Sequence, residues 1–272
     1  MEPLVEILRS RWLELRDLYR SNWPRNSVAY CILDTQISYP DLSETFGFKV
    51  YCPYGDIHHG MIGIFDKKNC YDIMIHPVHD INKIEEALAT TKVINFTRFS
   101  MISSACPEVE ECLKRVKNVQ RMKGKKAIAH LLNRNSPKFE NLSTPPNTYV
   151  AQIKPEHIKF IDEKWTYHGK YSYKMFEALV KYELTYVLYS KEDQPLAWVT
   201  VNTAGALSHL YCLETQRRKG YAEFILKYAL NDQLSKGKDT LAYTVEDNFK
   251  AQNLFDKLKF ERIGDFKWLI LF

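Results

Sequence analysis

Three cations and a glycine, Arg217-Arg218-Lys219-Gly220, run into Tyr221 and Ala222, where a helical stripe of Ala222, Ile225, Leu226, Ala229 and Leu230 begins. A helix opening here points unpaired N–H groups and the positive end of its dipole at whatever lies before it, which is the chemistry of phosphate capture. Gly220 admits a close backbone approach, Ala222 keeps the first turn open, and Arg217, Arg218 and Lys219 attract an anion over distance. The plain alternative is a basic turn ahead of an amphipathic helix.

Proton-transfer groups surround this junction. The strand-like run ALSHLYCL (206–213) supplies Ser208, His209, Tyr211 and Cys212, and TLAYTV (240–245) ends at Glu246 and Asp247. His209 suits base work near neutrality, but strand alternation predicts that it faces away from Ala206, whose face Ser208 shares. Ser208 is a base only through a bridging water, whereas Glu246 and Asp247 accept protons directly if they point inward. Tyr211 and Tyr243 are candidate acids, set against the usual core role of a strand aromatic. Cys212, a possible acyl carrier, has no base nearby and reads as a buried thiol. His58, His59, Cys70, His76 and His79 lack paired ligand spacing, so no metal is expected.

The elements that must hold this junction follow from periodicity. Helices are predicted over Pro155–Trp165 and Ser172–Val180, with a turn at His168-Gly169 between them. A hairpin follows at 185–190 and 195–202, then the strand at 206–213, a helix, the strand at 240–245, a helix over Asn248–Leu258 and a closing strand in FKWLILF. Earlier in the chain, 4–20 reads as a helix and VAYCILDT (28–35) as β-rich. Strands are expected at 58–68 and 70–78 around a Lys67-Lys68-Asn69 turn. Asn82 is the expected cap of a helix to Thr90 with Glu85 as capping partner, followed by a strand at 93–102 and a helix over Pro107–Val116. Lys114 to Lys126 is basic without interleaved aromatics and reads as a solvated helix end and loop. Segment 135–148, rich in Pro, Ser, Thr and Asn, marks a linker and divides the chain into domains 1–145 and 146–272. Alternating helices and strands favour an α/β class.

The 272 residues carry a formal charge of +5, too small for nucleic-acid binding and compatible with an anionic ligand. The six cysteines form no framework and imply free thiols. With no leader and no long apolar run, an intracellular protein, cytoplasmic or mitochondrial, with no membrane contact is expected.

Arg217–Ala222 matches R/Q-x-x-G-x-G/A, and Asn248-x-x-Ala251-x-x-Leu254-Phe255, with Lys257 and Phe260 beyond, follows in order. Both motifs resemble those of the GNAT acyltransferases. Trp165, the Gly169 turn and the hairpin into Ala206–Arg217 make the chain similar to the glycine N-acyltransferase-like proteins. The resemblance implies a GNAT fold, a mixed central sheet flanked by helices, in two tandem halves of which the first is degenerate. It implies acetyl-CoA or another acyl-CoA as co-substrate, no metal, a small amine or amino acid as acceptor, and a monomer or homodimer. Backbone amides of Leu210, Tyr211, Cys212 and Leu213 would pair with the pantetheine arm. Those of Arg218, Lys219, Gly220, Tyr221 and Ala222, after Arg217, would cradle the pyrophosphate. Asn248 would contact the cofactor or order its loop, and Phe255 would lie at the cofactor. The family's usual base falls on Ala206 and its usual acid on Phe255 (usually Tyr), while Lys259 replaces a usual Gly. Ser208 and Glu246 remain as candidate catalytic groups. The implied activity is N-acyl transfer to glycine or a related amine. The alternatives are a protein N-acetyltransferase and an acyl-CoA-binding protein without catalysis.

Overall fold

The computed structural model describes residues 1–66 and 70–272. Its contacts divide the chain into two compact units, Met1–His130 with Thr244–Gln252 and Arg262–Phe272, and Leu131–Tyr243 with Asn253–Glu261.

The first unit runs β1 (Leu4–Glu6), α1 (Trp12–Leu18), α2 (Ser27–Ser38), α3 (Pro40–Phe46), β2 (Phe48–Pro53), β3 (Met61–Asp66), β4 (Tyr71–His76), α4 (Asn82–Thr90), β5 (Ser100–Ala105), α5 (Pro107–Arg115) and most of β6 (Met122–Leu132). The chain continues through β7 (Thr148–Ala151), α6 (Ile158–Glu163), α7 (Ser172–Lys181), β8 (Thr185–Ser190), β9 (Pro195–Val201), β10 (Ala206–Cys212), α8 (Tyr221–Ser235), β11 (Thr240–Val245), α9 (Phe249–Lys257) and β12 (Glu261–Leu271). In the first unit β1, β2, β3 and β4 pair antiparallel in that order, β5 lies parallel to β4, and β12 returns antiparallel to β5. In the second, β7, β8, β9 and β10 pair antiparallel and β11 lies parallel to β10. Parallel neighbours need a crossover; α4 supplies it in one unit and α8 in the other. Each unit is thus a mixed sheet flanked by helices.

Alternation and helical period place the cores. Ile62, Ile64, Ile73 and Ile75 pack with Ile84 and Leu88 of α4 and Val109 and Leu113 of α5. In α8, Ile225, Leu226, Ala229 and Leu230 are fully buried, as the stripe predicts, each contributing on the order of 1–3 kcal/mol by leaving water.

Several expectations change. Leu4–Glu6 is an edge strand paired with β2, so the first helix begins only at Trp12; the amide of Ile7 also donates to the Val50 carbonyl at 2.8 Å. VAYCILDT lies in α2, because it is buried on nearly every side and so shows no helical period. Ile81, not Asn82, is the N-cap of α4 and offers no capping side chain; Asp80 before it accepts the Asn82 amide at 2.9 Å, and Glu85 instead holds Arg115 by two bonds. The strand expected at 93–102 starts at Ser100, because Asn95 takes both the amide and the hydroxyl of Thr97 and closes a turn. The basic segment is strand rather than loop from Met122 onward, with Lys123, Lys125 and Lys126 exposed before the buried run Ala127–Leu132. Helix 155–165 shrinks to a 3-10 turn and α6, and Thr148–Ala151 adds an unforeseen strand. The turn expected at Lys67-Lys68-Asn69 lies outside the described residues.

Candidate functional site

β10 is irregular where the chemistry was expected. Leu207 faces Val201 and Ser208 faces Thr200 on β9, but the next rung is Tyr211 with Trp198. The bulge between them places His209 at φ 52°, a left-handed conformation that costs a non-glycine residue roughly 1–2 kcal/mol. It also breaks the alternation. The His209 ring lies 5.8 Å from Trp165, 5.6 Å from Phe176 and 5.6 Å from Trp198, and its Nε2 accepts the Trp198 indole N–H at 3.2 Å. Tyr211 stacks on the same Trp198 at 4.9 Å. The simple alternation from which the side of His209 was expected therefore does not hold across this bulge. Burial pushes its pKa down to about 4, the Lys164 backbone opposing the shift, so the ring is neutral at pH 7 with Nε2 engaged.

On its other edge β10 meets β11 at only two rungs, Ala206 with Leu241 and Leu207 with Ala242. Beyond Leu207 no strand pairs that edge among the described residues, so the backbone of Ser208 to Cys212 is open to a ligand's amides, as at any unpaired strand edge. Ala206 is buried and carries no proton acceptor; its amide donates to Asn202 Oδ1 at 3.0 Å.

A 3-10 turn, Glu214–Gln216, then lifts the chain away from the sheet. Arg218 adopts φ 65° and Gly220 φ 79°, so α8 starts directly from a left-handed residue. A Cβ built on Gly220 meets nothing within 4 Å; glycine is needed for the conformation, and a side chain would project into open approach space. No side chain caps α8, and its first turn presents the amides of Tyr221, Ala222 and Glu223. Arg217 pairs with Glu214 at 3.1 Å and Lys219 with the Gln216 amide oxygen at 2.8 Å, both on the exposed rim. Glu223 places a carboxylate in the same turn. Lys227 and Lys257, each at 2.7 Å, neutralise it and hold its pKa below the usual range.

The remaining candidates are distributed as follows. Ser208, half-buried, lies on β10, where its carbonyl accepts the Thr200 hydroxyl at 3.2 Å. Cys212 keeps a thiol rather than a thiolate, since burial raises its pKa against Arg217 and Lys219. Phe255 is buried against Phe260 at 4.9 Å and has no hydroxyl to donate. Glu246 and Asn248 fall in the first unit. Glu246 is exposed and pairs with Lys126 at 3.5 Å, and Asn248 caps α9 through Oδ1 to the Ala251 amide at 3.2 Å. Among the described residues no group of three His, Cys, Asp or Glu is arranged to hold a metal, and no helix is long and apolar enough to cross a membrane. The aromatic cluster of Trp165, Phe176 and Trp198 had no signal as a group, because its members come from a loop, a helix and a strand.

Residues 186–269 match the family model described as FR47-like protein. No curated protein sequence matches the chain. Over its whole length the chain superposes on a Drosophila protein with a TM-score of 0.85 at 14% identity, covering 99% of that chain. A GCN5-related N-acetyltransferase-like protein from Streptococcus suis gives 0.55 at 10% identity, with 98% of this chain and 100% of that one covered. An acetyltransferase of the GNAT family from Colwellia psychrerythraea gives 0.52 at 11%, with 99% and 98% covered. The chain has the fold of the GNAT acetyltransferases, with an FR47-like segment that contains β9, β10, α8 and β11.

Proposed function

We propose that residues 146–272 bind an acyl-CoA and transfer its acyl group to the amino group of glycine or a related small amine. What carries this reading is one continuous feature: the unpaired edge of β10 leads through Arg217–Lys219 into the uncapped start of α8. The open-edge backbone of Leu210 to Cys212 pairs with the pantetheine arm, the Leu213 amide being held instead by the Leu196 carbonyl of β9 at 3.0 Å, and the amides of Arg218 to Ala222 take the pyrophosphate. Asn248 orders the turn into α9. The amine nitrogen then attacks the thioester carbon, the C–N bond forms, the C–S bond breaks and coenzyme A leaves as its thiolate, which takes up a proton.

Catalysis is direct, because Cys212 is held as a thiol, and its weak point is proton removal. With Ala206 in the usual base position, Ser208 acts through a bridging water; a missing general base typically costs ~10²–10⁴-fold. The test is acyl transfer from acetyl-CoA and longer acyl-CoAs to glycine, small amines and peptides. Glycine or small amines are expected to turn over slowly, with Ala206→Glu raising kcat by about tenfold or more. Peptide-only turnover points to a protein acetyltransferase. The buried apolar pair Ala206 and Phe255 also supports a second reading, an acyl-CoA binder without catalysis, for which binding without turnover in either protein is the expected result.

A further inference from the structure

The bulge in β10 is an expensive conformation placed where the cofactor edge begins, and one side chain is committed to it. A regular strand here would continue the pairing of β10 with β9 one residue per rung, as β4 does with β3 through six consecutive rungs from Met61–His76 to Asp66–Tyr71. The bulge adds a residue to β10 and bends the strand away from regular pairing. The backbone alone accounts for this only in part: the left-handed residue is histidine, which adopts φ > 0 more readily than most side chains but still carries a Cβ, and the next glycine in the chain is Gly220. The compensation comes from the side chain. The imidazole is inserted between Trp165 of the α6–α7 loop, Phe176 of α7 and Trp198 of β9, with Tyr211 at 6.2 Å, and it closes a hydrogen bond with the indole N–H of Trp198. Trp198 is fully buried and has its own rung with Tyr211, the first rung after the bulge. The His209–Trp198 bond therefore spans the irregular stretch and ties its apex to the strand across from it.

We infer that His209 is a positioning residue, whose ring and Nε2 hold β10 in the bulged form that turns the Ser208–Cys212 backbone toward the cofactor. This rests on the acyl-CoA reading of the same edge, but its structural half does not. The role is distinct from that of a base: Nε2 is occupied by the Trp198 donor, so the proton resides on Nδ1 and no free lone pair faces a substrate. It also accounts for a Trp–His pair that joins β9 to β10 at the bulge.

Three proteins separate the ring's packing from its acceptor: wild type, His209→Phe, which keeps an aromatic ring without an acceptor, and His209→Gln, which restores an acceptor near the Nε2 position. Calorimetric titration with coenzyme A is expected to show about tenfold weaker binding for His209→Phe and recovery of most of it in His209→Gln. In a double-mutant cycle with Trp198→Phe, the two losses should be clearly less than additive. Wild-type affinity in His209→Phe, or full additivity, overturns the inference. If His209→Phe does not fold, the wild type decides the matter by NMR, through a scalar coupling across the hydrogen bond from Trp198 Nε1–H to His209 Nε2; its absence overturns the inference. A wild type that shows the coupling yet binds no coenzyme A instead refutes the proposed function and leaves the His209–Trp198 lock standing.

Discussion

Two strand-to-helix junctions occupy the same place in the order of elements, β4 into α4 in the first unit and β10 into α8 in the second. Both follow an antiparallel hairpin and both lead to a parallel neighbour, so the backbone plan is the same. Their surfaces are opposite. After β4, Pro77 and Val78 are buried before the chain emerges at His79: the His76 carbonyl accepts the Tyr19 hydroxyl at 2.6 Å and the Val78 carbonyl accepts the Asn26 amide at 3.0 Å. Gly60 packs so closely there that a Cβ would lie 2.3 Å from the His76 oxygen. The first amide of α4 is already taken by Asp80. After β10 the chain is exposed, carries Arg217, Arg218 and Lys219, and delivers an uncapped helix start. The first junction has satisfied itself with its own groups, while the second has kept its donors for something else.

The comparison can be pressed on stability first. Each unit holds a neutral histidine, buried His76 in the first and half-buried His209 in the second, both with pKa pushed down to about 4 by burial. A histidine whose folded pKa is depressed is protonated more readily in the unfolded chain. Its stabilising contribution is therefore complete above about pH 6.5 and is lost as pH falls toward 4. Each shift is worth roughly 3 kcal/mol at most, using about 1.4 kcal/mol per pKa unit. Urea unfolding at pH 7 and pH 4.5 should show a loss of that order, reduced in His209→Gln by the share of that site. A flat profile contradicts the buried neutral assignment.

A smaller effect sharpens the difference between the helix starts. Asp80→Ala removes the carboxylate at α4 and should cost about 1 kcal/mol of stability, the usual worth of a side chain that holds a helix's first amides. It should create no affinity for coenzyme A or pyrophosphate, because the loop after β4 stays closed. Measurable binding of either ligand by that variant would mean that this carboxylate alone separates the two junctions.

Much of this was legible in the residues. The second unit was easier to read because its strands are short apolar runs, its turns carry Asp, Gly and Asn, and the α8 stripe follows a helical period from Ala222. The junction from β10 into α8 was readable for the same reason, a short motif with a strand before it and a helix after. The first unit was harder, since α2 is buried on nearly every side and looks like a strand, and Asp80 lies two residues ahead of the expected Asn82 cap. The bulge was not legible at all. Alternation is the only local signal a strand offers, and His209 breaks it through contacts with Trp165, Phe176 and Trp198, which are distant in sequence.

The most direct measurement is calorimetric titration of coenzyme A into the wild type and into Ala222→Glu, which sets a carboxylate at the start of α8 much as Asp80 does at α4. Wild-type binding in the micromolar range and a loss of about a hundredfold in the variant, ~2.7 kcal/mol, is the expected result. Equal affinity in the two proteins, or no binding by the wild type at millimolar coenzyme A, would contradict an anion site at the head of this helix.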